Sequence, residues 1–282
     1  MPDTHQMPLL NLAGLIGLGW ALFATVMLGA WLLWRRSGNA GFVDSIWSFG
    51  VGAVGILGAL APVSSDGPAV RQLCVALVVA IWSGRLGFFI LRRSRAKGDD
   101  PRYAALIRQW GDDAPRQMFV FLQIQALVSV PLFAAIMAGA HNPSAQLGLA
   151  DGLAVVVALI AIAGEGVADE QMRRFVAKAK AGSVCNVGLW RYSRHPNYFF
   201  EFVLWFAFPL FALSGLHQPE LALIALAGPA CMYWLLVHVS GVPPLEQHML
   251  ATRPEAYLAY QARTSVFFPK PEKMPKGLVI KS

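Results

Sequence analysis

Seven apolar stretches, separated by polar or turn-rich segments, organise this chain. They run over about 9–34, 42–61, 70–91, 117–140, 149–168, 198–215 and 221–240. A helix rises about 1.5 Å per residue, so each stretch is close to the length needed to cross a hydrocarbon core of about 30 Å. The segments after the second, fourth and sixth stretches are short. Those after the third and fifth, and the tail after the seventh, are long and charged. No fixed-period repeat, low-complexity tract or soluble domain interrupts the pattern. The expected fold is an all-α integral membrane protein: one membrane domain over 1–282, seven transmembrane helices, and a cavity open to the cytosol. The first stretch has no basic segment before it and no small-residue cleavage site after it, so it is read as a retained span.

Composition agrees. Hydrophobic residues make up 56% of the 282 and charged residues 14%, where a soluble domain carries about a quarter. The three cysteines lie apart and predict no disulfide framework. The net charge of +7 reflects topology rather than nucleic-acid binding. With seven spans, 21 of the 23 lysines and arginines fall on one side, leaving only Arg71 opposite and Arg85 within the third span. The positive-inside rule then puts the amino terminus outside and the carboxyl terminus in the cytosol.

Charges inside spans are costly and mark candidate function. They are Asp44 at the start of the second span, Arg85 in the third, Glu165 near the end of the fifth and Glu201 just inside the sixth. Asp44 either pairs with Arg85 as a strut or sits in a dry slot as a neutral acid. Asn197 lies one turn before Glu201, and Asp169 one turn after Glu165, giving two polar ridges on neighbouring helix ends. In "SRHPNY", Pro196 suits the first position of a helix, and its free N–H groups lie beside Arg191, Arg194 and His195, an arrangement that attracts phosphate or carboxylate. The alternative is ordinary basic decoration of a cytosolic loop. Trp47 and Trp82 offer walls for an apolar substrate slot. Gln123 and Gln125 read as packing. The tail, 241–282, is expected to form a short amphipathic helix from about Pro244, either lying on the surface or covering the cavity. No metal-ligand spacing, Walker loop, nucleophile elbow or dinucleotide fingerprint is present.

"GLWRYSRHPNYFFEFVLW" followed by "YLAYQARTSVFFP" resembles the carboxyl-terminal region of the steroid 5-alpha-reductase family, and "FVDSIWSFG" with "DDPRY" resembles its bacterial DUF1295 branch. The likeness covers about residues 40–270. A related "RHP-x-Y" pattern also marks isoprenylcysteine-type membrane methyltransferases. The resemblance implies NADPH in the cytosol-opening cavity and a lipophilic enone, such as a 3-keto-4-ene steroid, entering from the bilayer of a bacterial cytoplasmic membrane. It implies that Asn197 and Glu201 hold the nicotinamide end, that Asp169 meets the adenosine half, and that Tyr192 and Arg85 line the cofactor chamber. The full expected cofactor set is Arg85, Glu165, Asp169, Arg173, Arg174, Trp190, Arg191, Tyr192, Arg194, His195, Asn197, Tyr198, Glu201, Glu246 and Arg263, with the tail as part of its cover. Asp44 and Glu201 are the expected catalytic residues, and Asp44, Trp47 and Trp82 the substrate contacts. The chain lacks the Gln-Glu pair and third-helix tyrosine that hold the ketone in the animal enzymes. The rival readings are an S-adenosylmethionine-dependent membrane methyltransferase and a transporter or lipid-binding protein. The protein is expected to act as a monomer, without metal or nucleic acid.

Overall fold

The computed structural model describes residues 9–62, 69–97, 100–144, 146–180, 182–214 and 219–273. These residues form α-helices with no strand among them, apart from one isolated bridge between Ser193 and Ser265. The helices are α1 Leu9–Ser37, α2 Val43–Ala59, α3 Val70–Lys97, α4 Pro101–Trp110, α5 Ala114–Val128, α6 Val130–Ala140, α7 Leu149–Lys178, α8 Pro196–Leu204, α9 Ala207–Leu213, α10 Pro219–Ala225, α11 Ala227–Trp234, α12 Val242–Thr252 and α13 Pro254–Arg263. Six helical stretches are long and apolar enough to cross a membrane. The other expected span, 42–61, is an apolar helix of 17 residues, α2. Many outward leucines, including Leu57 at 64% and Leu77 at 60% exposure, suit a surface bathed in lipid rather than water. The chain is a multi-pass membrane protein.

Proline explains the breaks that an apolar pattern hides. The expected span 117–140 divides at Ser129, just before Pro131. The expected span 198–215 starts at Pro196 and divides at Trp205 and Phe206, ahead of Pro209; its last residue, 215, lies outside the described residues. The expected span 221–240 divides at Leu226, ahead of Pro229, and ends in a π turn, Leu235–Val239. Each proline lacks the N–H that would close the preceding turn. In the other direction α7 runs ten residues beyond its expected end, to Lys178. Glu170 holds Arg173 and Arg174 at one-turn spacing along that polar extension.

The chain divides into two compact units: Met1–Val155 with Phe206–Cys231, and Val156–Trp205 with Met232–Ser282. In the first unit α6 is the core helix, with Leu132 to Met137 nearly inaccessible. Helix α2 packs on α1 and α3 through glycines: a Cβ at Gly52 would collide with Ser83, so the two backbones approach as only glycine allows. Arg71, the one basic residue expected on the outer side, is 2% exposed and clasped by Asp151 at 2.7 Å. Its other donors reach the carbonyls of Asn142, Ser144 and Gln146.

In the second unit the tail folds back. The single expected helix from Pro244 is two helices, α12 and α13, followed by an extended segment whose backbone pairs with 192–194. The Arg194 N–H donates to the Ser265 carbonyl at 2.8 Å, and Ser193 Oγ donates to the Phe267 carbonyl at 2.7 Å. Phe267 is buried against Phe199, Phe202 and Tyr233. The tail beyond 273 lies outside the described residues.

Candidate functional site

The second unit brings the two polar ridges together. Glu165 and Asp169 lie one turn apart on α7 and are 5% and 7% exposed; Glu201 on α8 is 5% exposed. Asn197 Nδ2, from the first turn of α8, donates to Asp169 Oδ1 at 3.3 Å. Glu201 Oε1 accepts from Trp205 Nε1 at 3.1 Å. The close approach depends on Gly164, where a Cβ would collide with the Phe200 ring. Gly188, at φ +58°, opens the 3-10 turn Gly188–Arg191. Trp190 Nε1 donates to the Ala168 carbonyl at 2.9 Å, and Leu189 N–H to Gln171 Oε1 at 2.8 Å, so the turn is pinned beside Asp169. Buried carboxylates beside an amide accept hydrogen bonds from hydroxyl and amide donors.

The basic cluster divides into inward and outward members. Arg194 is 11% exposed and forms a two-point pair with Glu246 through Nε at 2.7 Å and Nη2 at 3.2 Å. Its Nη1 donates to the Thr264 carbonyl at 2.7 Å. His195 Nε2 donates to the same Glu246 at 3.1 Å, and Gln261 Nε2 bonds the other carboxylate oxygen at 2.8 Å. Burial pushes the His195 pKa down, and Glu246 only partly offsets it, so the ring is neutral near pH 7. Arg194, His195 and Glu246 therefore lock the tail to the start of α8. That differs from the anion-binding role expected of Arg194 and His195, because the Arg194 charge is matched by Glu246 and the His195 ring is neutral.

Arg173, Arg174 and Arg191 are 69%, 74% and 60% exposed and, among the described residues, pair with the acids Glu170 and Glu272. Ion pairs this exposed are screened by solvent and hold their side chains only loosely. Arg263 is half-buried, with Nε on the Ala259 carbonyl. Arg174 and Lys178 rim a groove of about 290 Å³ with Phe175 and Val187 in its wall. Tyr192 is exposed, Trp190 buried, and Tyr198 stacks on His195 at 5.4 Å between ring centroids.

The remaining expected residues belong to the first unit. Arg85 is half-buried on α3, and Trp82 is 1% exposed. Trp47 Nε1 donates to Ser129 Oγ at 3.1 Å. Asp44 does not occupy a dry slot, and its ion-pair partner is not Arg85. It is 26% exposed, pairs with Arg102 at 2.5 Å and accepts from the Tyr103 hydroxyl at 2.7 Å. Asp100 caps α4 and holds Arg102 from the other side at 2.9 Å. The "DDPRY" and "FVDSIW" motifs are thus one contact cluster. Sequence reasoning passed over Tyr103 and Arg102, although the Asp-Pro start of α4 signals a helix whose first turn is held in place.

A partly solvated carboxyl group between an arginine and a tyrosine braces α2 against α4. Tyr103→Phe and Asp44→Ala are each expected to lower stability by about 1–2 kcal/mol and to be non-additive when combined, since both remove the Tyr103–Asp44 hydrogen bond. Additive losses in thermal unfolding of the two single variants and the double variant would remove the brace.

A family model described as "Protein of unknown function (DUF1295)" matches residues 30–264, and the chain belongs to that family. No curated protein and no solved structure matches the chain.

Proposed function

We propose that this DUF1295 member is an NADPH-dependent membrane reductase of the C=C bond in a lipophilic α,β-unsaturated ketone, as its resemblance to the steroid 5-alpha-reductases implies. The observation that carries this reading is the junction of Asn197 with Asp169 between the buried acids Glu165 and Glu201. Those groups suit the carboxamide and ribose hydroxyls of a nicotinamide nucleotide. Arg173, Arg174, Arg191 and Arg263 supply cations for its phosphates, and the groove floored by Phe175 suits a flat base. When bound, the cofactor would supply a hydride to the β-carbon of the enone, with the electron pair moving onto the carbonyl oxygen and a proton from solvent then added at the α-carbon. The chain's part is to orient the nicotinamide through Asn197 and Glu201, to hold the ribose through Asp169, and to keep water away with Trp190, Trp205 and the folded tail. Asp44 enters as a brace, not as the proton donor. Loss of NADPH absorbance on adding a 3-keto-4-ene steroid to the purified protein, with the saturated ketone as product, tests the reading. Absence of turnover across a panel of lipophilic enones removes it.

A second reading has one observation in its favour. The buried groups are acid-rich while the outward ones are basic, and buried acids favour the cationic S-adenosylmethionine. That makes a membrane methyltransferase the alternative.

The proposed topology has seven spans, with α2 as the short one, in a bacterial cytoplasmic membrane. Seventeen residues rise about 25 Å, near the lower limit for spanning. The amino terminus is outside and the carboxyl terminus in the cytosol. With the native cysteines removed, Lys178→Cys is expected to react only with reagents that enter the cytosol, and Gln146→Cys with impermeant reagent from outside. Reversed labelling contradicts this orientation, and both positions on one side contradicts the crossing of α7.

A further inference from the structure

We infer that the first unit carries a site for an anionic phospholipid headgroup, formed by Arg35 at the end of α1 and Arg108 near the end of α4. The two side chains rim one groove of about 480 Å³, with Trp34, Ile107 and Pro115 in its walls. Their positions are 73 apart in sequence (108 minus 35), so helix packing rather than a basic run places them together. Two neighbouring arginines of this unit are already paired: Arg93 and Arg102 with Asp100, and Arg102 also with Asp44. Among the described residues neither Arg35 nor Arg108 has a carboxylate partner. Asp113, close to the groove in sequence, is held by Gln117 at 2.7 Å and does not line it.

The groove is built rather than incidental. Trp31 Nε1 donates to the Pro115 carbonyl at 2.8 Å, fixing α1 to the first turn of α5, and the Arg35 guanidinium lies 5.4 Å from the Trp31 ring centroid. Gly38, at φ +69°, ends α1 against the groove, its N–H on the Trp34 carbonyl at 2.8 Å. Two arginines facing one cleft match a phosphodiester, which accepts paired N–H donors. A lipid is favoured over a free anion by what lies behind the arginines. On α1, Leu28 and Leu32 sit on the face leading to Arg35 and are 38% and 45% exposed, a track for acyl chains. Basic clefts between helices at the membrane interface take anionic headgroups in this way. The inference needs only that the end of α1 lie at an interface, so it stands apart from the enzymatic reading.

The test is lipid retention by the full chain in native mass spectrometry, titrated with phosphatidylglycerol or phosphatidylcholine. Wild type is expected to retain phosphatidylglycerol in preference, and Arg35→Gln with Arg108→Gln to weaken that retention roughly thirtyfold, at about one arginine's surface attraction each. Arg92→Gln, which removes a charge outside the groove, is expected to leave it unchanged. Equal retention by wild type and double variant, equal retention of the two lipids, or an equal loss in Arg92→Gln overturns the site. Competition by inorganic phosphate alone, with the same loss in the double variant, overturns the lipid in favour of a free anion.

Discussion

Replacing Glu201 by glutamine is expected to leave a folded protein that has lost most of its turnover. Glutamine keeps the size of the side chain and an oxygen for Trp205 Nε1, so α8 retains its local bond. The carboxyl group goes, and with it one of the two oxygens that could accept from a cofactor amide. Asn197→Ala removes the donor to Asp169 and leaves that 7%-exposed carboxylate without it. Each lost or unsatisfied hydrogen bond costs about 1–3 kcal/mol, and about 1.4 kcal/mol is tenfold in rate. The expected fall in kcat/KM is roughly tenfold to hundredfold for each single variant. Steady-state rates on protein that still elutes as a single folded species make the comparison. Undiminished NADPH-dependent turnover in both variants would separate this ridge from the cofactor.

The largest stability loss is expected at Arg71. Arg71→Ala leaves Asp151, 3% exposed, as a buried charge without its partner, which costs about 3–5 kcal/mol. An isolated buried pair exchanged for apolar residues is often neutral. Here it is not expected to be, because Arg71 also satisfies the carbonyls of Asn142, Ser144 and Gln146. Asn142 in turn ties its amide to the carbonyls of Phe211, Ala212 and Ser214. Arg71→Met combined with Asp151→Leu is therefore expected to remain destabilised in thermal unfolding. Recovery to wild-type stability in the double variant would reduce the clasp to a simple ion pair.

The apolar pattern made the helices legible, because burying or lipid-exposing every face leaves a continuous hydrophobic run. It could not show the breaks at Ser129, Trp205–Phe206 and Leu226, since a proline-interrupted helix and a straight one read equally apolar. The ridges Glu165/Asp169 and Asn197/Glu201 were visible from one-turn spacing alone, a purely local rule. What decided the partners of Asp44, Arg194 and Arg71 was not local. Asp44 meets Tyr103 across 59 positions, Arg194 meets Glu246 across 52, and Arg71 meets Asp151 across 80. Spacing along one helix carries no information about such pairs. The basic residues of "RYSRH" show the cost: their sequence pattern was that of an anion site, whereas two of the three members named there turn inward to Glu246. Arg191, the outward one, keeps the expected role open.

The most direct test that this chain binds a nicotinamide dinucleotide is thermal stabilisation of the detergent-purified full protein by NADPH, NADH and S-adenosylmethionine, each at a hundred times its dissociation constant. A ligand that binds only the folded state should then add about 2.7 kcal/mol. The expected result is stabilisation by NADPH, none by S-adenosylmethionine, and loss of the NADPH effect in Glu201→Gln. Stabilisation by S-adenosylmethionine with none from NADPH, or an NADPH effect unchanged in Glu201→Gln, would contradict it.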